Sequence, residues 1–166
     1  IFIPWVVTDN AYGNTPMKEA LDQIRDIAEG FAQSHPDSFP PILINITDGI
    51  PTDMDESELP ALAQTLKSIS TTDGAALVWN IHISAEEGEA ALMPGSPDGI
   101  ADDYARYLFE ASSELPETMV NIGRQSYKME IEEGARCFAF NANATELTKL
   151  LVLASSAPDA DRMQGA

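Results

Sequence analysis

Several classes of protein are excluded by what this chain has little of. A single cysteine, Cys137, leaves no internal disulfide to form, and nothing points to an oxidising compartment. No apolar run approaches the roughly 18 residues of a membrane-spanning helix, and no basic-apolar leader is present, so the expected location is the cytoplasm. Basic residues are scarce, 9 Lys and Arg against 27 Asp and Glu, for a formal charge of −18. That surface repels phosphate backbones and anionic headgroups, which argues against nucleic acid or membrane as a partner. Phosphate-binding glycine loops and internal repeats are absent, and His35 and His82 lack the cysteine partners of a zinc site. The sequence opens at Ile1 without Met and inside an apolar stretch, as a fragment or a processed product would.

What is present suits one globular domain: 166 residues, 44% of them apolar. The expected division is a single α/β domain over residues 1–157 and a flexible tail over 158–166. Residues 41–53 organise the rest, reading Pro-Ile-Leu-Ile-Asn-Ile-Thr-Asp-Gly-Ile-Pro-Thr-Asp. A short branched apolar run that ends at Thr47, Asp48 and Gly49 predicts a strand buried on both faces, with Asp48 at its carboxyl end. In open α/β sheets ligands bind at that end.

The flanking segments alternate between helix and strand. Residues 1–7 read as extended, and Pro4 demotes them to an edge strand or a covering loop. Thr15 and Pro16 open a helix whose apolar stripe is Met17, Ala20, Leu21, Ile24, Ile27, Ala28 and Phe31. Ser57 and Pro60 open a second, with Leu59, Leu62, Ala63, Leu66 and Ile69 inward. Residues 75–83 predict a strand with Asn80 and His82 on a less covered face, and residues 84–99 a surface loop. Asp102 or Asp103 caps a helix with Ala101, Ala105, Leu108 and Ala111 inward, followed by a short helix over 116–120 and a strand over 135–140. Asn143 with Glu146 makes a capping-box start for a final helix. This order implies βαβ units in a mostly parallel sheet.

A hard cation such as Mg²⁺ takes oxygen ligands, and Asp48 offers a carboxylate and Thr15 a hydroxyl. Each also has a plain structural use, Asp48 as a turn former and Thr15 as a helix cap. Residues 13–21, Gly-Asn-Thr-Pro-Met-Lys-Glu-Ala-Leu, followed by 43–53 resemble the von Willebrand factor type A domain, in particular its intracellular bacterial members. Residues 79–84 and 134–141 are similar to the last strands of that group.

The resemblance implies a three-layer Rossmann-like sheet with helices on both faces. It also implies a protein-binding module working through a metal-ion-dependent adhesion site that holds Mg²⁺ or Mn²⁺. Thr15 and Asp48 match two of the three ligand loops, and Gly13, Asn14, Gly49 and Asp53 would shape the surrounding loops. The third loop, Asp-x-Ser-x-Ser, occurs nowhere in the chain, so the domain reads as partial, and metal binding by this chain alone is expected to be weak or absent. The partner would offer a carboxylate. A strand over 41–47 would be left with an open edge available for pairing.

Two other readings compete. Asp48 and Asp53 imitate the magnesium loop of haloacid-dehalogenase-type phosphatases, but the paired aspartates that phosphoryl transfer needs after another strand are missing. Cys137 falls in an apolar segment, which suits packing rather than nucleophilic chemistry. No catalysis is therefore expected. The remaining reading is a scaffold domain without metal.

Overall fold

The computed structural model describes residues 13–83, 90–100 and 102–156. The expected extended segment 1–7, part of the 84–99 loop, Ala101 and the 158–166 tail lie outside the described residues. In chain order the elements are α1 (Met17–Ser34), β1 (Ile42–Thr47), a 3₁₀ turn (Glu56–Glu58), α2 (Leu59–Lys67), β2 (Ser70–Thr71), β3 (Gly74–Ala75) and β4 (Leu77–Ile83). There follow β5 (Ala91–Leu92), α3 (Asp103–Ala111), α4 (Glu117–Ser126), β6 (Phe138–Ala142) and α5 (Ala144–Ser155). Four strands form one sheet in the order β1-β4-β6-β5. The first three run parallel, and β5 lies antiparallel to β6. The protein is thus mixed α/β with a mostly parallel sheet.

Alternation along β4 shows how the sheet is covered. Val78 packs in a cluster with Leu43, Leu66, Leu108 and Phe138, while its neighbour Trp79 belongs to a second cluster with Ile81, Met119, Ala139 and Leu153. Successive strand residues face opposite ways. Helices α1, α2 and α3 therefore cover one face, and α4 and α5 the other.

Local signals start several elements where the sequence places them. Asp102 caps α3 by accepting from Ala105 N–H at 2.8 Å. Asn143 and Glu146 form both halves of the capping box that opens α5. The 3₁₀ turn leading into α2 opens differently from expectation, because Asp55 rather than Ser57 is its cap and pairs with Glu58 in a second capping box. The last strand begins at Phe138 rather than residue 135, and α4 continues to Ser126 rather than stopping near residue 120.

Three expectations about burial are overturned. The 41–47 strand is not covered on both faces: Ile44 is 38% and Ile46 43% exposed, since β1 is the outermost described strand and the second helical layer stops short of it. The Asn80 face of β4 is not the less covered one. Asn80 is buried, and its amide is satisfied: Oδ1 accepts from Asn45 Nδ2 at 3.0 Å, and Nδ2 donates to Ser112 Oγ at 3.1 Å. The α1 stripe is also wider than the core that receives it, with Met17, Leu21, Ala28 and Ala32 buried but Ile27 66% exposed.

Candidate functional site

The carboxyl ends of β1, β4 and β6 bring together residues far apart in sequence. Thr47 ends β1 beside His82 of β4. Its hydroxyl donates to Gly49 C=O at 2.8 Å and accepts from Gly49 N–H at 3.1 Å, which folds Asp48 into a tight turn with its side chain outward. Tyr104 of α3 braces that turn by donating its hydroxyl to Gly49 C=O at 2.9 Å. Burial pushes the Tyr104 phenol up to about 12.

From the opposite side comes the start of α1. Thr15 is tied to the β1–α2 connection by a two-way backbone clasp. Its N–H donates to Thr52 Oγ1 at 3.0 Å, and its C=O accepts from Thr52 N–H at 2.9 Å. The clasp brings the Thr15 hydroxyl against the turn, where a Cβ on Gly49 would stand 3.1 Å from Thr15 Oγ1. Only a residue without a side chain leaves that hydroxyl its place undisturbed. Asn14, Thr15, Thr47 and Asp48 share the wall of an open cleft of about 290 Å³.

The structure gives two of the expected site residues different work. Thr15 is not the cap of α1: Pro16 occupies the cap position and supplies no side-chain bond. Asp53 does the capping from the other connection. Its carboxylate accepts from Lys18 N–H at 3.0 Å and Glu19 N–H at 2.9 Å, a negative charge set on the positive end of a helix. Desolvation works against the charged form, but the Glu19 and Lys18 donors outweigh it and hold the carboxyl below the usual carboxylate range. Gly13, at φ +56°, supplies the left-handed bend that leads into Asn14 and Thr15.

One neighbour was not singled out from sequence. His82 stacks on Phe140 at 4.3 Å between ring centres and meets Tyr104 edge-on at 6.2 Å. Burial lowers its pKa, while the charges of Asp102 and Asp48 pull the other way. Its Nδ1 is buried and has no hydrogen-bond partner among the described residues. Alternation alone puts it with Asn80 on one face of the 75–83 strand; its level with Thr47 comes from the pairing of β1 with β4. A larger cleft of about 790 Å³ opens beyond Phe140 and Asn141, walled in part by Asp98, Asp102 and Glu132, and contains neither Thr15 nor Asp48.

Cys137 is fully buried, and burial pushes its thiol well above the ordinary range, so it packs rather than reacts. Among the described residues no three His, Cys, Asp or Glu side chains are grouped to hold a metal ion, and no helix is long and apolar enough to cross a membrane. No family model matches the chain, and comparison with curated proteins and with solved structures finds no match either.

Proposed function

We propose that this chain is a protein-recognition module of the von Willebrand factor A kind, built on a Rossmann-like three-layer fold. In this reading Asp48 and Thr15 hold Mg²⁺ or Mn²⁺, and the ion accepts a carboxylate from a partner protein. The observation that supports it most is the approach of Thr15 Oγ1 to the Asp48–Gly49 turn, which rests on the missing side chain of Gly49. Both donors are hard oxygens, the type these ions prefer. When bound, the ion would supply a concentrated positive charge on an acidic surface, and so direct recognition toward an acidic side chain. Gly13, Asn14 and Gly49 shape the loops, while Asp53 and Thr52 fix them to α1.

Two protein oxygens are fewer than an octahedral ion takes, so water and the partner would complete the shell, and affinity for the free ion is weak. The phosphatase alternative loses support, because Asp53 is committed to the helix cap. Binding without catalysis is the function proposed. The test is paramagnetic broadening of backbone amide resonances by Mn²⁺, which detects weak sites. Broadening centred on Thr15, Asp48 and Gly49, competed by Mg²⁺ and lost in Asp48→Asn, is the expected result. Broadening spread evenly over the acidic surface, or unchanged by the substitution, overturns the site and favours a scaffold without metal.

A further inference from the structure

Gly49 stands where the turn needs room and rigidity at once. A Cβ there would come to 3.1 Å from Thr15 Oγ1, so the close approach of that hydroxyl calls for glycine. Glycine also has the most backbone freedom to lose, and a carboxylate attached beside a loose glycine points in many directions. Rigidity must therefore come from outside the residue.

The bonds that supply it converge on Gly49. Its N–H donates to Thr47 Oγ1 at 3.1 Å, and its C=O accepts from Thr47 Oγ1 at 2.8 Å and from the Tyr104 hydroxyl at 2.9 Å. Two donors occupy both lone pairs of that carbonyl. The peptide planes before and after Gly49 are thus each tied, and none of the three bonds uses the Asp48 carboxylate. The two donors differ in what they are anchored to. Thr47 is part of the turn it pins, whereas Tyr104 reaches in from α3, 55 positions along the chain.

Tyr104 is itself fixed before it reaches the turn. Its ring is buried in the cluster that contains Leu108 and Phe109, and His82 meets it edge-on at 6.2 Å. The helix that carries it is capped by Asp102 at its first turn. A side chain held in advance has little freedom left to lose in making its bond. Phenylalanine would fill the same apolar surroundings without a hydroxyl to strip of water, so packing alone does not account for the phenol.

We infer that Tyr104 is a positioning residue of the Asp48 site: its hydroxyl fixes the Gly49 peptide and so holds the Asp48 carboxylate in one direction over the cleft shared with Thr15. The inference rests on the reading of Asp48 and Thr15 as metal ligands, and deepens it by naming the side chain that aims one of them.

The test compares Tyr104→Phe with the parent in the full 166-residue chain. Phenylalanine keeps the ring, so circular dichroism should show the variant folded. Without metal, ¹⁵N relaxation of the Gly49 and Ile50 amides reports the two peptide planes. Their order parameters should fall from a rigid value of about 0.85 toward about 0.6. With Mn²⁺, the concentration that half-broadens the resonances of Thr15, Asp48 and Gly49 should rise several-fold. The control is Ser113→Ala, which removes the acceptor of Val78 N–H near the other end of β4 and should change neither reading.

Order parameters and Mn²⁺ affinity both unchanged in Tyr104→Phe overturn the assignment and leave a tyrosine that only packs. Mobility gained at unchanged affinity also overturns it, since the carboxylate is then aimed without Tyr104. Affinity lost at unchanged mobility upholds it, the turn having settled in another direction. The same losses in Ser113→Ala overturn it in favour of general destabilisation. Absence of a Mn²⁺ site at Asp48 in the parent removes the ligand reading; Tyr104 is then judged on mobility, where an unchanged Gly49 overturns the brace and a loosened one upholds it.

Discussion

Asp53 holds the first turn of α1 through two backbone N–H groups, and the sign of its pH effect follows from that contact. Its carboxyl titrates lower in the folded protein than at the ordinary 3.8, so the unfolded chain binds the proton more readily. The cap's stabilisation is complete above the unfolded value and is lost as pH falls through the folded one. Melting temperature measured from about pH 6 to about pH 2 should therefore fall more steeply for the parent than for Asp53→Asn, with the variant a few degrees lower near neutrality. Parallel curves would show that the carboxylate charge contributes nothing. The sequence placed Asp53 near the site but could not show its task, because its partners lie 35 and 34 positions earlier in the chain. Thr15 was legible as a residue at the start of α1, whereas the side chain that caps that start was not.

Elements whose starts depend on neighbours in sequence were the legible ones. The Asn143–Glu146 and Asp102 caps act within three residues of themselves, and the order of strands and helices followed from such signals. Burial of an element depends on which others lie beside it, and there the local pattern misleads: β1 is half open, and the polar face of β4 is sealed. That sealed face contains a crosstie. Asn80 joins Asn45 of β1 to Ser112 at the end of α3, and Ser113 Oγ accepts from Val78 N–H at 2.9 Å close by. Replacing Asn80 by Ala leaves the Asn45 amide and the Ser112 hydroxyl each short of a partner, at a cost of about 1–3 kcal/mol. Urea unfolding of Asn80→Ala, Asn45→Ala and the double variant should show the two costs to be less than additive. Full additivity would mean that the crosstie carries no coupling.

Over the whole molecule, excess negative charge is only partly answered from within. Lys18, Arg25 and Arg106 sit in exposed or half-exposed pairs with Asp22, Asp26 and Asp103, which contribute little. Lys67 and Arg136 turn instead to backbone, both donating to the Glu110 and Ser112 carbonyls at the negative end of α3. Self-repulsion is left to weaken the compact state, so raising NaCl from about 10 to about 300 mM should raise the melting temperature. A melting temperature indifferent to salt would show the acidic groups to be spread too widely to repel.

The clasp between Thr15 and Thr52, together with the Asp53 cap, has a kinetic consequence. First-turn amides of a helix have no partner inside it and ordinarily trade their protons with solvent quickly. Here the amide protons of Lys18 and Glu19 point at a carboxylate carried by the β1–α2 connection, and that of Thr52 at the Thr15 carbonyl. None of the three can exchange with deuterium until the two loops part, so their exchange rates should rise and fall together and report how often the mouth of the Asp48 cleft opens.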